Sequence, residues 1–465
     1  MVWSPGIIAG FIIIIGTVFA LIKQYETRFV LIVSGVLMCL CSPEYIRIFS
    51  ENSFGVAILQ TVNAILGAVN SGFDAFSDRM VSKGLVTVIL TVMGFAAVMK
   101  LTKCDAHLVN LMVGILSKAR PFLIPGTVIV TAFINISLSS AAGCAAAVGA
   151  VLIPLMISIG VRPAMAAAAV MAGTFGSQFS PGLSHNVFVA NILTEQGVPT
   201  SVMDIISTHA VADIVSILIA AIGLSIIASI RGEGRGYVAD QAHSVPKLDK
   251  VNILYAMMPI LPVVLLVVSA FCSSSLAGEA GKWFVETVPY FKNLSVPNAM
   301  IIGAIIGIAV TWTNPEQATK DFFAGMGTSY ANVMGIIIAA AVFVAGMSSV
   351  GLVQTLTNYM KNTPEIAVWA ASIGPFFLAV MTGSGDAATM AFNEAITPHA
   401  ADFGMSIGGM GSIATLAGCL GRTMSPLAGA AIVCAGIANI NPIEITKRLA
   451  IPMLVALIAI TFLLK

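Results

Sequence analysis

Ala172-Gly-Thr-Phe-Gly-Ser-Gln-Phe-Ser-Pro181 lies over Ala417-Gly-Cys-Leu-Gly-Arg-Thr-Met-Ser-Pro426 without a gap, 245 residues apart, and five of the ten positions agree. Each stretch interrupts a long apolar run with glycine, hydroxyl and proline. The surroundings recur as well. Before the first stretch, segment 121–159 is apolar at both ends and carries Asn135, Ser137, Ser139, Ser140 and Gly143 in its middle. Before the second, segment 364–402 is interrupted by Thr382-Gly-Ser-Gly-Asp386. An internal repeat of about half the chain accounts for the pattern; the alternative is coincidence among the small residues common in membrane helices.

The composition says what solvent surrounds these segments. Of 465 residues, 58% are hydrophobic and 9% charged, and the mean hydropathy is +0.98. Soluble domains carry about 25% charged residues, so most of this surface faces lipid. A net charge of +1 and the lack of a long basic run exclude a nucleic-acid partner. The seven cysteines are scattered without metal-type spacing and read as small core residues. The first apolar stretch has no basic leader and reads as a retained span.

A spanning helix needs about 20 apolar residues, and helices satisfy their own backbone in hydrocarbon. Simple spans are expected at 5–22, 29–41, 85–99, 205–230, 251–271, 296–312, 333–350 and 450–464. Segment 50–83 has apolar residues at helical spacing and reads either as an interfacial amphipathic helix or as a partner-packing one. The predicted fold is therefore an all-α membrane protein of two inverted repeats, 1–230 and 251–465, joined by a cytoplasmic linker 231–250. Each repeat has three spans, a re-entrant helical hairpin, a broken helix and a last span: five crossings. An odd number inverts the second repeat. On this count fourteen basic residues, Arg162, Arg231 and Arg448 among them, fall on one side, and seven, Arg79 and Lys361 among them, on the other. The positive-inside rule places the larger set in the cytoplasm and both termini outside.

Paired interrupted helices in mirrored positions point to a transporter site at the bilayer midplane. Free amides at a helix break attract anions, and unwound carbonyls and hydroxyls hold cations. Arg422 falls in an otherwise uncharged stretch, where a buried arginine costs at least about 2.5 kcal/mol and needs a partner or a role. Its fork matches a carboxylate; an internal pair with Asp386 or Glu394, or a snorkelling anchor, is the alternative. Asp386 reads equally as an ion or proton site and as a helix N-cap. His185 reads as a proton coupler or a satisfied structural group, and Glu394 as a pathway or interface residue. The expected substrate shell is Arg422, Thr423, Ser425, Asn135, Ser137, Ser139, Ser140, Ser177, Ser180, Asn186, Thr382, Ser384 and Gly385, with Asp386, His185 and Glu394 as coupling groups. No phosphate loop, metal-binding His pair or Ser/His/Asp set accompanies them, so no enzyme, cofactor or resident metal is expected; Na⁺ or H⁺ remains as a coupling ion. A channel is disfavoured, since channels use rings of charges or carbonyls.

Four segments carry a family likeness: Ala331-Asn-Val-Met334 with Phe343-Val-Ala-Gly-Met-Ser-Ser-Val-Gly351, Thr382-Gly-Ser-Gly385, Leu420-Gly-Arg-Thr-Met-Ser-Pro426 and Pro442-Ile-Glu-Ile-Thr-Lys-Arg448. In these the chain resembles the anaerobic four-carbon dicarboxylate carrier (DcuC) family of elevator-type transporters. Asp386 and the segment 176–185 depart from that pattern. The resemblance implies a homodimer in a bacterial inner membrane that exports or exchanges succinate, fumarate or malate. It also implies a scaffold (approximately 1–105, 205–230, 251–350 and 443–465) and a moving transport domain (approximately 106–204 and 351–442). The runner-up is a cation-coupled carrier of another small carboxylate, or a proton/cation antiporter of the same fold.

Overall fold

The structure is a computed structural model that describes residues 4–23, 25–42, 54–116, 122–237, 250–273 and 278–465. Arg47, Lys118, Arg120 and Lys247 of the charge count, and most of the 231–250 linker, lie outside the described residues. Among the described residues every regular element is helical.

The first half comprises α1 (Pro5–Ile22), α2 (Thr27–Leu40), α3 (Phe54–Met80), α4 (Lys83–Leu101), α5 (Cys104–Leu116), α6 (Leu123–Ser137), α7 (Ala141–Ser158), α8 (Pro163–Gly173), a 3₁₀ turn at Gly176–Phe179, α9 (Ser184–Glu195) and α10 (Val202–Ile230). The second comprises α11 (Ile253–Met257), α12 (Leu261–Ser273), α13 (Gly278–Thr287), a 3₁₀ turn at Pro289–Asn293, α14 (Val296–Thr311), α15 (Pro315–Ser329), α16 (Gly335–Ser349), α17 (Leu352–Asn362), α18 (Pro364–Thr382), α19 (Gly385–Ala395), a 3₁₀ turn at Thr397–Phe403, α20 (Ile407–Met424), α21 (Gly429–Ala438) and α22 (Ile443–Leu463). Six helical stretches among the described residues are long and apolar enough to cross a bilayer. Their outward faces are apolar: Ile15, Ile222, Ile451 and Phe462 are all exposed. Water would not tolerate such continuous patches, and lipid does.

Two expected spans differ in extent. Segment 251–271 is divided between α11 and α12, where Pro262 takes one of the first positions of α12 and needs no intrahelical donor. Segment 333–350 belongs to a longer run, in which a π turn at Tyr330–Met334 joins α15 to α16. The 50–83 stretch is helical as expected over α3, whose Leu59 is 74% exposed.

The order hairpin, interrupted helix, last helix occurs twice in near register. Ser140 and Ser384 cap the second arms of the hairpins α6–α7 and α18–α19, each through its hydroxyl. Ser180 and Ser425 end the two helical runs in extended conformation, at φ −77°, ψ 125° and φ −75°, ψ 130°. Leu183 and Ala428 begin the restarts α9 and α21. The restarts then cross over: α9 packs on α20 and α19, and α21 packs on α7 and α8. One apolar core joins α6, α7, α8, α20 and α21 to α10 and α22; the second hairpin shares another core with α1, α2, α4 and α16. The apolar faces of α10 and α22 fill the core around the broken helices.

Candidate functional site

The first break is built by removing side chains and then satisfying backbone. A Cβ on Gly176 would lie 2.3 Å from the Ala132 carbonyl oxygen, so only glycine lets α6 approach this closely. Pro181 disfavours helical backbone at Ser180 and holds the chain extended. The polar backbone groups freed there cannot turn to water at membrane depth. Asn135 accepts the Ser177 amide (2.8 Å) while its own amide donates to the Leu138 carbonyl (2.7 Å). Asn186 donates to the Gln178 carbonyl at 2.7 Å. Both asparagines are fully buried.

The second break falls later than its sequence suggests. The glycine and arginine of Gly421-Arg-Thr-Met-Ser-Pro426 are helical, and unwinding begins at Ser425, the residue before proline. Arg422 thus sits in the last turn of α20, not in the unwound strand. Its Nη2 donates to the Thr174 carbonyl at 3.0 Å, at the end of α8. The guanidinium thus meets the C-terminal end of α8, whose partial negative charge favours a cation. Its Nε is buried and has no hydrogen-bond partner among the described residues. The Ser425 hydroxyl donates to the Val380 carbonyl (2.7 Å) and accepts the Leu427 amide (3.2 Å), tying this break to the second hairpin. Gly383, with φ +75°, turns the hairpin tip against Leu427.

Around Arg422 the structure gathers the second hairpin tip and, through it, the start of α9. A Cβ on Gly385 would come within 3.4 Å of the Arg422 Cβ, so the second hairpin tip abuts the arginine. Asp386 follows directly, in the first turn of α19; the N-cap is Ser384, which corrects the capping alternative for Asp386. Its Oδ1 lies 3.0 Å from His185 Nε2, so the tip of one half touches the restarted helix of the other. His185 is buried, with Nδ1 3.9 Å from Cys419 Sγ. Ser177 Oγ and both side-chain polar atoms of Gln178 are buried without a hydrogen-bond partner among the described residues. The N-termini of α9 and α21 have no side-chain cap.

Other expected shell residues hold structure. Thr423 donates to the Cys419 carbonyl and Thr382 to the Leu378 carbonyl, each at 2.8 Å. Ser180 accepts the Gly182 amide at 3.3 Å. Ser137 and Ser139 are half-buried at the first hairpin tip, beside the exposed Ser140. Glu394 stands apart, 2.7 Å from Arg79 of α3; that pair replaces the alternative in which Glu394 neutralises Arg422. Arg79 also reaches Glu195, and its guanidinium lies over the Phe188 ring.

Sequence reasoning passed over Thr174, Gln178, Arg79 and a buried pair on α10. There His209 Nδ1 lies 2.8 Å from Asp213 Oδ2, and His209 Nε2 lies 3.2 Å from Asn186 Oδ1. An ionisable pair inside a 29-residue apolar helix was the available signal. Among the described residues no group of three His, Cys, Asp or Glu is arranged to hold a metal ion.

A sequence model of the C4-dicarboxylate anaerobic carrier family, DcuC, matches residues 6–464. The chain belongs to this family. Its members are membrane transporters, not enzymes. The chain is similar to the anaerobic C4-dicarboxylate transporter DcuC of Escherichia coli K12, at 27% identity over 98% of this chain and 95% of that one. It is 41% identical, over 60% of its length, to 97% of a Haemophilus influenzae protein described only as an uncharacterized transporter. Among solved structures, the Alcanivorax borkumensis YdaH transporter shares the fold, with a TM-score of 0.54 at 16% identity over 86% of this chain and 88% of that one.

Proposed function

We propose that the chain carries small dicarboxylates of the succinate, fumarate and malate class across a bacterial inner membrane, by export or exchange, as a homodimeric elevator-type carrier. One observation carries the reading. At the junction of two helix breaks, an arginine is braced, among the described residues, by one backbone carbonyl and keeps a buried Nε with no partner among them. A guanidinium so placed suits a planar carboxylate. The second carboxylate would meet the uncapped amides of α9 and α21, with Ser177 and Gln178 completing the shell. That the relatives matched over nearly the whole chain are named as C4-dicarboxylate transporters supports four-carbon dicarboxylates as cargo.

Alternating access needs one body to slide on another. Between α1, α2 and α16 on one side and the second hairpin on the other lies a cavity of about 220 Å³, lined by Leu21, Phe343, Met347, Leu378, Ala388 and Phe392. An apolar, loosely filled seam resists sliding less than a polar one. The inverted, re-entrant arrangement draws support from the ion pairs. Arg448 is joined to Glu233 (2.7 Å) beside the Arg162 amide, all on the side assigned to the cytoplasm. Arg79–Glu394 and Lys361–Asp402 fall on the other.

The test is a counterflow panel in proteoliposomes containing the purified full chain, with labelled succinate, fumarate, malate, citrate and lactate, with and without a sodium gradient. Saturable exchange of four-carbon diacids, indifferent to monocarboxylates, is expected. Exchange confined to another class of acid overturns the assigned cargo. Conductance without saturable counterflow overturns the carrier itself.

A further inference from the structure

The pair His209–Asp213 lies within the core that holds the broken helices, and both residues are 0% exposed. Its hydrogen-bond geometry fixes how many protons it contains. Asn186 donates through Nδ2 to the Gln178 carbonyl, which orients the amide and leaves Oδ1 facing His209 Nε2. An amide oxygen only accepts, so Nε2 bears a hydrogen. Across the 2.8 Å between His209 Nδ1 and Asp213 Oδ2 one more proton is required, since two lone pairs would repel. The pair therefore carries one proton more than a neutral imidazole beside a carboxylate. It is neutral as a whole, which its burial favours.

Removing that proton cannot leave the geometry unchanged. A neutral imidazole has one N–H, and two acceptors compete for it. The charged carboxylate is the stronger acceptor, so the hydrogen moves to Nδ1 and Nε2 is left with a lone pair toward Asn186 Oδ1. Asn186 then has to turn its amide, which takes Nδ2 away from the Gln178 carbonyl in the first break. Among the described residues Asp213 Oδ1 is buried without a hydrogen-bond partner.

We infer that His209, Asp213 and Asn186 form a proton-binding site whose occupancy sets the geometry of the first break and so links proton movement to the carrier's transport cycle. The inference deepens the carrier reading and rests on it for the word transport. The elements packed on α10 leave the pair to itself. α22 brings Glu444, Lys447 and Arg448, which bond to one another or to Glu233. α20 brings Arg422 and Cys419, α9 brings His185 and Glu195, and α12 brings Cys272. Asp204, at the start of α10, bonds to Ser201. α6, α8 and the intervening 3₁₀ turn carry no titratable side chain.

The test uses the full chain in proteoliposomes that enclose a pH-sensitive dye, with succinate as the transported probe. The comparison is wild type against the neutral double variant His209→Gln/Asp213→Asn. The expected result is that the variant keeps succinate counterflow, which reports intact folding, but loses both the succinate-linked dye signal and uptake driven by an imposed pH gradient. A variant with undiminished proton coupling overturns the inference. Asp213→Asn alone replaces the double variant if the latter does not fold, with the same two outcomes. A second readout needs no transport: in ¹⁵N-histidine-labelled protein, the His209 signal, assigned by its loss in His209→Gln, should show a protonated Nε2. An unprotonated Nε2 at every pH where the protein is folded also overturns the inference. If wild type exchanges no dicarboxylate, the carrier reading fails, and the nitrogen spectrum still decides the pair.

Discussion

Replacing Arg422 by alanine removes a half-buried cation whose only hydrogen-bond partner among the described residues is the Thr174 carbonyl, 3.0 Å away. A hydrogen bond to a charged group contributes about 1.5–3 kcal/mol. If the fork makes two such bonds to a substrate carboxylate at the lower end of that range, the loss is about 3 kcal/mol, or roughly a hundredfold in affinity. Arg422→Lys keeps the charge and gives up the fork, so an intermediate loss of about tenfold is expected. The assay is counterflow of labelled succinate in proteoliposomes, measured below saturation for wild type, Arg422→Lys and Arg422→Ala. Thermal melts in detergent separate this from the bracing role, because loss of the Thr174 contact lowers the stability of both variants. The reasoning is refuted if Arg422→Ala exchanges succinate with an unchanged half-saturation concentration. It is equally refuted if the entire loss in exchange tracks the loss in melting temperature.

Three further outcomes follow from packing and ion pairing. Arg79→Ala leaves Glu394, only 13% exposed, without its partner, and breaking such a pair costs about 3–5 kcal/mol; Glu195→Gln, at the exposed end, costs under about 1 kcal/mol. Melting curves of the two variants should differ accordingly, and equal shifts would show that Arg79 is not held mainly by Glu394. Gly421→Ala places a methyl group 2.2 Å from the Phe376 carbonyl oxygen and should lower the yield of monodisperse protein, whereas Gly436→Ala meets nothing within 4 Å and should not. Asn135→Ala strands the buried Ser177 amide at a cost of about 1–3 kcal/mol; a melt indistinguishable from wild type would mean that the first break does not depend on this bond.

The breaks and hairpins were legible in the sequence because glycine, proline and clustered hydroxyls are costly inside a lipid-embedded helix, and their recurrence at one spacing argues against chance. Placing the second break was harder. Pro426 restrains only its immediate predecessor, so Gly421 and Arg422, which look like part of the interruption, keep their helical bonds. The pairing of Arg79 with Glu394 joins residues 315 apart, and no local pattern announces it. His209 and Asp213 were legible in principle, four residues apart in an apolar helix. A long hydrophobic run hides them, because hydropathy averages two polar residues away. The core shared by α10 and α22 with the broken helices was not legible, since hydropathy reports burial without naming the neighbour.

The crossing of the restarted helices bears on how the molecule is made. A chain emerging from the ribosome delivers α9 long before α20 and α19 exist to cover it, and α7 and α8 wait as long for α21. Contacts between segments so far apart in synthesis close late and slowly. The amino-terminal half is thus inserted as an unfinished object, its polar interruptions exposed to the bilayer or to insertion factors until the last hundred residues arrive. Truncation near the carboxyl terminus should therefore harm the whole protein more than its modest length suggests.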